Sequence, residues 1–195
     1  MRLFDEYPTL SDDMIILRKL TQDDSRALHD FARSPEIYRY LPTFLYEQKY
    51  ESAEKVIALM DEECFRTRDG IILGVFPKAD PHRLMGLAEI YSYNPERRKV
   101  SIGGRLAKQY WGRGIASRVT TLLKDYLLRQ TDIEVITAHV AKDNKASAEM
   151  MRKNGFIAKY QDILEDWGHA EPVLIDKFVF KRSWLDDPVR ENDGP

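Results

Sequence analysis

One cysteine, Cys64, is all this chain offers for covalent cross-linking, so no internal disulfide can form and a reducing compartment is expected. Its few histidines and that cysteine form no cluster with zinc spacing, so no metal site is expected. No uninterrupted apolar run approaches the roughly 18 residues that mark a membrane helix, and Met1 to Tyr7 lack the apolar stretch of a signal peptide. A cytoplasmic protein with no membrane partner is the expectation. Charge of one sign is missing too. Lys and Arg total 30 against 32 Asp and Glu, a formal net charge of -2, which supplies no basic field for nucleic acid.

What is present is core material. With 195 residues, 43% of them apolar, the chain can bury one substantial core, and a single domain is expected over 1-184. From Trp184 onward the sequence turns polar, with Asp186-Asp187-Pro188 and Glu191 to Pro195, so 185-195 reads as a polar, mobile C-terminal tail.

Met14 to Lys19 reads as a strand, and Thr21 with Asp24 resembles a capping box opening a helix through Ala32, ended by Ser34-Pro35. From Glu47 to about Arg66, Val56, Ile57, Met60 and Cys64 recur at helical spacing, which predicts one helix. Ile71 to Phe76, Arg83 to Tyr93 and Lys99 to Leu106 are strand-like and separated by turn residues, an antiparallel meander. A helix over Ile115 to Arg129, a strand over Ile133 to Val140, a helix from the cap Asn144 to Asn154 stopped by Gly155, and strands over Phe156 to Leu164 and Val173 to Phe180 complete the order. The fold class is α/β, with a mixed, mostly antiparallel sheet of about seven strands and helices on both faces. Adjacent Gly103-Gly104 inside a strand pattern points to a bulge or to close approach by another backbone or a ligand.

The densest chemical signal is Gln109-Tyr110-Trp111-Gly112-Arg113-Gly114-Ile115-Ala116-Ser117, at a strand-to-helix junction. The first helical N-H groups lack intrahelical partners and carry the positive end of the helix dipole, and glycine lets backbone approach phosphate oxygens, so a pyrophosphate fits there. The spacing of a P-loop is absent. A dinucleotide fingerprint could be read through Gly112, Gly114 and Ser117, with Glu134 as its carboxylate, but Glu134 opens the next strand instead of closing it.

The loop resembles the Gln/Arg-x-x-Gly-x-Gly/Ala signature of the GNAT superfamily of N-acetyltransferases, through Gln109, Gly112 and Gly114. Ile16 to Thr21 with Asp23-Asp24 resembles that family's opening strand and first helix cap, and Asn144-Lys145-Ala146-Ser147 with Lys153-Asn154-Gly155-Phe156 its closing half. The pieces lie in family order, and the subgroup with ribosomal-protein-alanine and spermidine N-acetyltransferases is the most similar.

That resemblance implies an enzyme that moves an acetyl group from acetyl-CoA to a primary amine, on a small molecule or a peptide N-terminus, by direct attack in a ternary complex, with a sheet splayed between its fourth and fifth strands. It implies cofactor contacts from the backbone of Arg105, Leu106 and Ala107, from the loop residues Gln109, Gly112, Arg113, Gly114, Ile115, Ala116 and Ser117, and from Asn144 and Ser147. Ser147 would also reach the sulfur, although Asn144 and Ser147 equally suit plain helix capping. Tyr38, Tyr40 and Phe44 fall where the family builds its acceptor pocket, and a hydrophobic wedge under a loop is the alternative.

Amine acetylation needs a proton acceptor, because an ammonium has no lone pair. Glu89 interrupts the apolar run Leu84 to Ile90 and is the candidate; a solvent-facing strand position would also explain it. His139 suits a proton relay if it faces the cleft, and is otherwise an ordinary half-buried strand residue. The subgroup's Glu and Tyr are replaced by Ser101 and Met151, which keeps open a non-catalytic acyl-CoA-binding module. Edge pairing of the terminal strands allows a homodimer.

Overall fold

A computed structural model describes residues 3-185. The expected polar tail therefore lies, from Asp186 on, outside the described residues. Eight strands and five α-helices are found among the described residues: β1 (Leu10–Ser11), β2 (Ile15–Arg18), α1 (Ser25–Ala32), α2 (Tyr46–Lys49), α3 (Ala53–Leu59), β3 (Gly70–Pro77), β4 (Gly86–Asn94), β5 (Lys99–Leu106), α4 (Ile115–Gln130), β6 (Val135–Ala141), α5 (Lys145–Lys153), β7 (Ile157–Glu165) and β8 (Val173–Lys181). The strands form one sheet in the order β1-β2-β3-β4-β5-β6-β8-β7. Every neighbouring pair is antiparallel except β5 and β6. The seven expected strands are all present, and β1 is an eighth, too short for its two residues to show alternation.

The expected helix from Glu47 to Arg66 is corrected: it is three pieces. Tyr50 is extended, Ser52 starts α3 by accepting from Lys55 N at 3.2 Å, and α3 runs into a π-helical stretch over Met60–Phe65. The apolar spacing from Val56 to Cys64 lies wholly beyond the break at Tyr50 to Ser52, so it carried no sign of it. No helix is long and apolar enough to cross a membrane among the described residues.

Alternation along the strands divides the core in two. Ile71, Leu73, Val75, Ala88, Ile90, Val100 and Ile102 face α4 and α5, where Val119, Leu123, Leu127 and Met151 cover them. Ile72, Phe76 and Leu87 face the other way, under Leu28 and Phe31 of α1 and Val56 and Ile57 of α3. Asn154 locks α4 to α5: its Nδ2 donates to Ser117 Oγ and Met150 O, and its Oδ1 accepts from Thr121 Oγ1 at 2.9 Å.

Candidate functional site

β5 and β6 pair only at Lys99 with Val135, Val100 with Ile136 and Ser101 with Thr137. Beyond Ser101 they separate and leave an opening in the middle of the sheet. The opening begins where the hydroxyls of Ser101 and Thr137 bond at 2.8 Å, both buried.

Pairing parity says which peptide groups of β5 face it. Ala107 N donates to Met85 O at 2.9 Å and the β4–β5 register runs unbroken from Leu106 back to Ser101, so Arg105, Gly103 and Ser101 turn their peptide groups to β4. Those of Ile102, Gly104 and Leu106 face the opening, with Leu106 O taken by Trp111 Nε1 at 2.8 Å. Of the three backbone segments expected at the cofactor, Leu106 is thus turned to the opening, while Arg105 and Ala107 bond toward β4; Ile102 and Gly104 are added. The glycine pair forms no bulge. It permits close approach: a Cβ on Gly104 would sit 2.9 Å from Leu87 O, and on Gly103 3.3 Å from the Tyr91 ring.

The loop after β5 has the geometry its glycines suggest. Gly112 and Gly114 have φ of 70° and 76°, the left-handed region, with open space where a Cβ would be. Gly114 caps α4, so the N-H groups of Ile115, Ala116 and Ser117 project from the helix end beside the opening. The Ile115 side chain is buried in the core, Gln109 and Arg113 are exposed, and the Ser117 hydroxyl accepts from Asn154. Asn144 caps α5 by accepting from Ser147 N at 3.2 Å, directly after β6 ends. These features fit an extended thioester with a pyrophosphate at its far end. No group of His, Cys, Asp and Glu suited to a metal is found among the described residues.

On the α1–α3 side the opening is walled by charged and aromatic groups. Glu89 stands opposite Gly103, and its Oε1 accepts from Arg105 Nη1 at 2.7 Å; Oε2 lies 3.8 Å from the Cβ position of Gly103. Arg105 Nε donates to Glu47 Oε1 at 2.5 Å, and both side chains are almost fully buried. Burial opposes the guanidinium charge, but Glu47 and Glu89 outweigh it and hold the Arg105 pKa above its ordinary value. The Tyr38 hydroxyl is buried against the same cluster; its pKa is raised by burial first and Glu47 second. Burial likewise raises Tyr91, helped by the charges of Glu89 and Glu165.

The far wall is β6 with β7. His139 Nδ1 lies 2.9 Å from Glu165 Oε2, which also accepts from Trp167 Nε1 at 3.0 Å. Tyr40 packs on Trp167, Ala141 and Ile175. The segment before α2 is tied to this wall by Thr43 N to Trp167 O at 2.9 Å and His169 Nε2 to Leu41 O at 2.9 Å. Phe44 is exposed beside Gly168. Glu47, Tyr91, Glu165, Trp167 and the Arg105 side chain were not singled out by sequence reasoning; the available signal was a charged residue at an inward position, as at Arg105.

A family model described as an acetyltransferase (GNAT) domain matches residues 14–157. The chain is 27% identical over 152 residues to an uncharacterised N-acetyltransferase, YoaA, of Bacillus subtilis, covering 77% of this chain and 83% of that protein. It is 24% identical over 140 residues to spermidine N(1)-acetyltransferase of Escherichia coli, covering 72% and 71%. In structure it resembles spermidine N-acetyltransferase from Vibrio cholerae, solved with CoA and spermine, at a TM-score of 0.73 and 20% identity, covering 88% of this chain and 98% of that one.

Proposed function

The chain belongs to the GNAT acetyltransferase family, and on that premise we propose that the opening between β5 and β6 acetylates a cationic aliphatic amine of the polyamine type. The protein is an N-acetyltransferase that takes its acetyl group from acetyl-CoA. Its acceptor and the residues that serve it are the proposal. The supporting observation is Tyr91, an aromatic side chain over Gly103 beside Glu89 Oε2 and within the field of Glu165, a surface that suits an alkylammonium. Relatives named for spermidine agree in acceptor class.

In this reading the helix end at Ile115 to Ser117, with Gln109, Gly112, Arg113 and Gly114, holds the pyrophosphate, and peptide groups of β5 hold the pantetheine and the thioester carbonyl. Asn144 keeps the first turn of α5 in place, and the Ser147 hydroxyl faces the departing sulfur. Tyr38, Tyr40 and Phe44 bound the acceptor channel. Glu89, the expected proton acceptor, meets the acceptor's ammonium with Oε2. We place the enzyme in the cytoplasm, in keeping with the buried, unbridged Cys64, and expect self-association along the edge strand β7, where Tyr160 and Leu164 are exposed.

The test is thiol release from acetyl-CoA with spermidine, spermine, amino acids and a short unblocked peptide as acceptors. Turnover with the polyamines at a kcat/KM well above the peptide's supports the reading. Turnover with the peptide alone assigns the enzyme to peptide N-termini.

A further inference from the structure

His139 stands on β6 just past the last pair with β5, opposite Lys177 of β8. Because Thr137 bonds Ser101 through their side chains, His139, two residues on, shares the face that carries Glu89, Tyr91 and Gly103. Its Nδ1 is engaged by Glu165 at 2.9 Å, and Glu165 is itself fixed by Trp167. Its Nε2 is buried and has no hydrogen-bond partner. A carboxylate on Nδ1 selects the tautomer with the proton there, which leaves a lone pair on Nε2, the arrangement of an oriented general base. Glu89, by contrast, already holds an ionic partner in Arg105 at 2.7 Å.

The charged groups facing the ring are Glu165 from β7, Lys177 from β8 and Lys99 from β5. Burial lowers the imidazole pKa, Glu165 pushes the other way, and the two lysines add to the lowering, so the net lies below the ordinary histidine value and the ring is neutral at neutral pH.

We propose that His139, oriented by Glu165, accepts the proton of the incoming amine, while Glu89 serves as that amine's ion-pair partner. This rests on the acceptor entering between Glu89 and Glu165. The ammonium N-H bond breaks, its proton passes to Nε2 and the electron pair stays on nitrogen. That nitrogen bonds to the acetyl carbon as the carbon-sulfur bond breaks. The sulfur leaves with its electron pair and takes the second N-H proton, directly or through Ser147, giving amide and thiol. The imidazolium, held by Glu165, then gives its proton to solvent.

The experiment compares pH profiles of kcat for the full-length wild type, H139Q and E165Q, together with NMR titration of the His139 ring. The wild type should show an acid limb below the ordinary histidine range that coincides with the ring's titration. H139Q should lose that limb and about a hundredfold in kcat, with KM for acetyl-CoA unchanged. E165Q should keep the limb, displaced. An H139Q enzyme within about threefold of wild type, or with the limb unmoved, overturns the proposal. Should H139Q fail to fold, the wild-type ring decides: a His139 that does not titrate with the limb also overturns it. If polyamines are not acetylated but another amine is, the profiles are taken with that amine; the acceptor class then fails while His139 is still tested.

Discussion

Arg105 reaches Glu89 across paired strands, Nη1 to Oε1 at 2.7 Å, and holds Glu47 on its other side. The guanidinium keeps two carboxylates on one wall of the opening. Removing it leaves Glu47 buried, and Glu89 half-buried, without a counter-charge, a loss of about 3–5 kcal/mol for the broken buried pair with Glu47. R105M should therefore unfold at clearly lower denaturant, with R105K recovering part of the difference. An R105M midpoint equal to wild type would show that the network carries no net stability.

Gly114 sits at φ 76° with open space where a side chain would go, so substitution meets a backbone obstacle and not a clash. A non-glycine residue there costs about 1–2 kcal/mol. G114A should raise KM for acetyl-CoA about tenfold and leave KM for the amine alone. G114N, whose side chain tolerates the left-handed region, should suffer less. Steady-state kinetics with both substrates varied checks the split.

Asn154 is buried and bonded to both α4 and α5. N154A removes the bonds from a buried amide to Ser117, Thr121 and Met150 and should cost about 1–3 kcal/mol. Because Ser117 lies in the first turn of α4, affinity for acetyl-CoA, measured by calorimetry, should fall in the same variant.

Much of this was legible in the sequence. Gly112 and Gly114 announced left-handed backbone before a helix, Asn144 and Gly155 announced the ends of α5, and Lys99–Leu106 was bounded correctly, because caps, turns and strand alternation are local signals. What depends on distant partners was hidden. Glu47 and Arg105 are 58 residues apart, so neither announces the other as its partner. Gly103-Gly104 read as a bulge or a close approach; the close approach is found, while the register is unbroken there and shifts instead between Tyr91 and Asn94, where Ser92 takes a positive φ. The break at Tyr50 to Ser52 precedes the apolar period, which starts only at Val56.

Asp24 ties the start of α1 to β2. It is buried, accepts from Arg18 Nη1 and Nη2 at 2.8 Å each, and takes Thr21 N at 2.8 Å. Burial raises its pKa, but Arg18 and then Thr21 outweigh that and hold it below the ordinary aspartate value. A folded-state pKa below the unfolded one contributes stability that is present above about pH 4 and lost as pH falls through the folded value. The Tm gap between wild type and D24N should therefore be full at neutral pH and shrink in strong acid. A gap independent of pH would contradict this.

Gly168 lies on the proposed acceptor side, against Thr43. It has φ 78°, and a Cβ there would fall on Thr43 Oγ1, with Phe44 3.7 Å away. Thr43 is the residue whose N-H and hydroxyl both bond Trp167 O, and Trp167 steadies Glu165 beside His139. G168A thus combines backbone strain with a collision that pushes Leu41 to Phe44 off the far wall, while the glycine loop at Gly112 to Gly114 lies on another element. KM for the amine should rise about tenfold with KM for acetyl-CoA unchanged. A smaller fall in kcat should accompany it as Glu165 loosens. Unaltered amine KM, or a rise confined to acetyl-CoA, would place the acceptor elsewhere on the sheet.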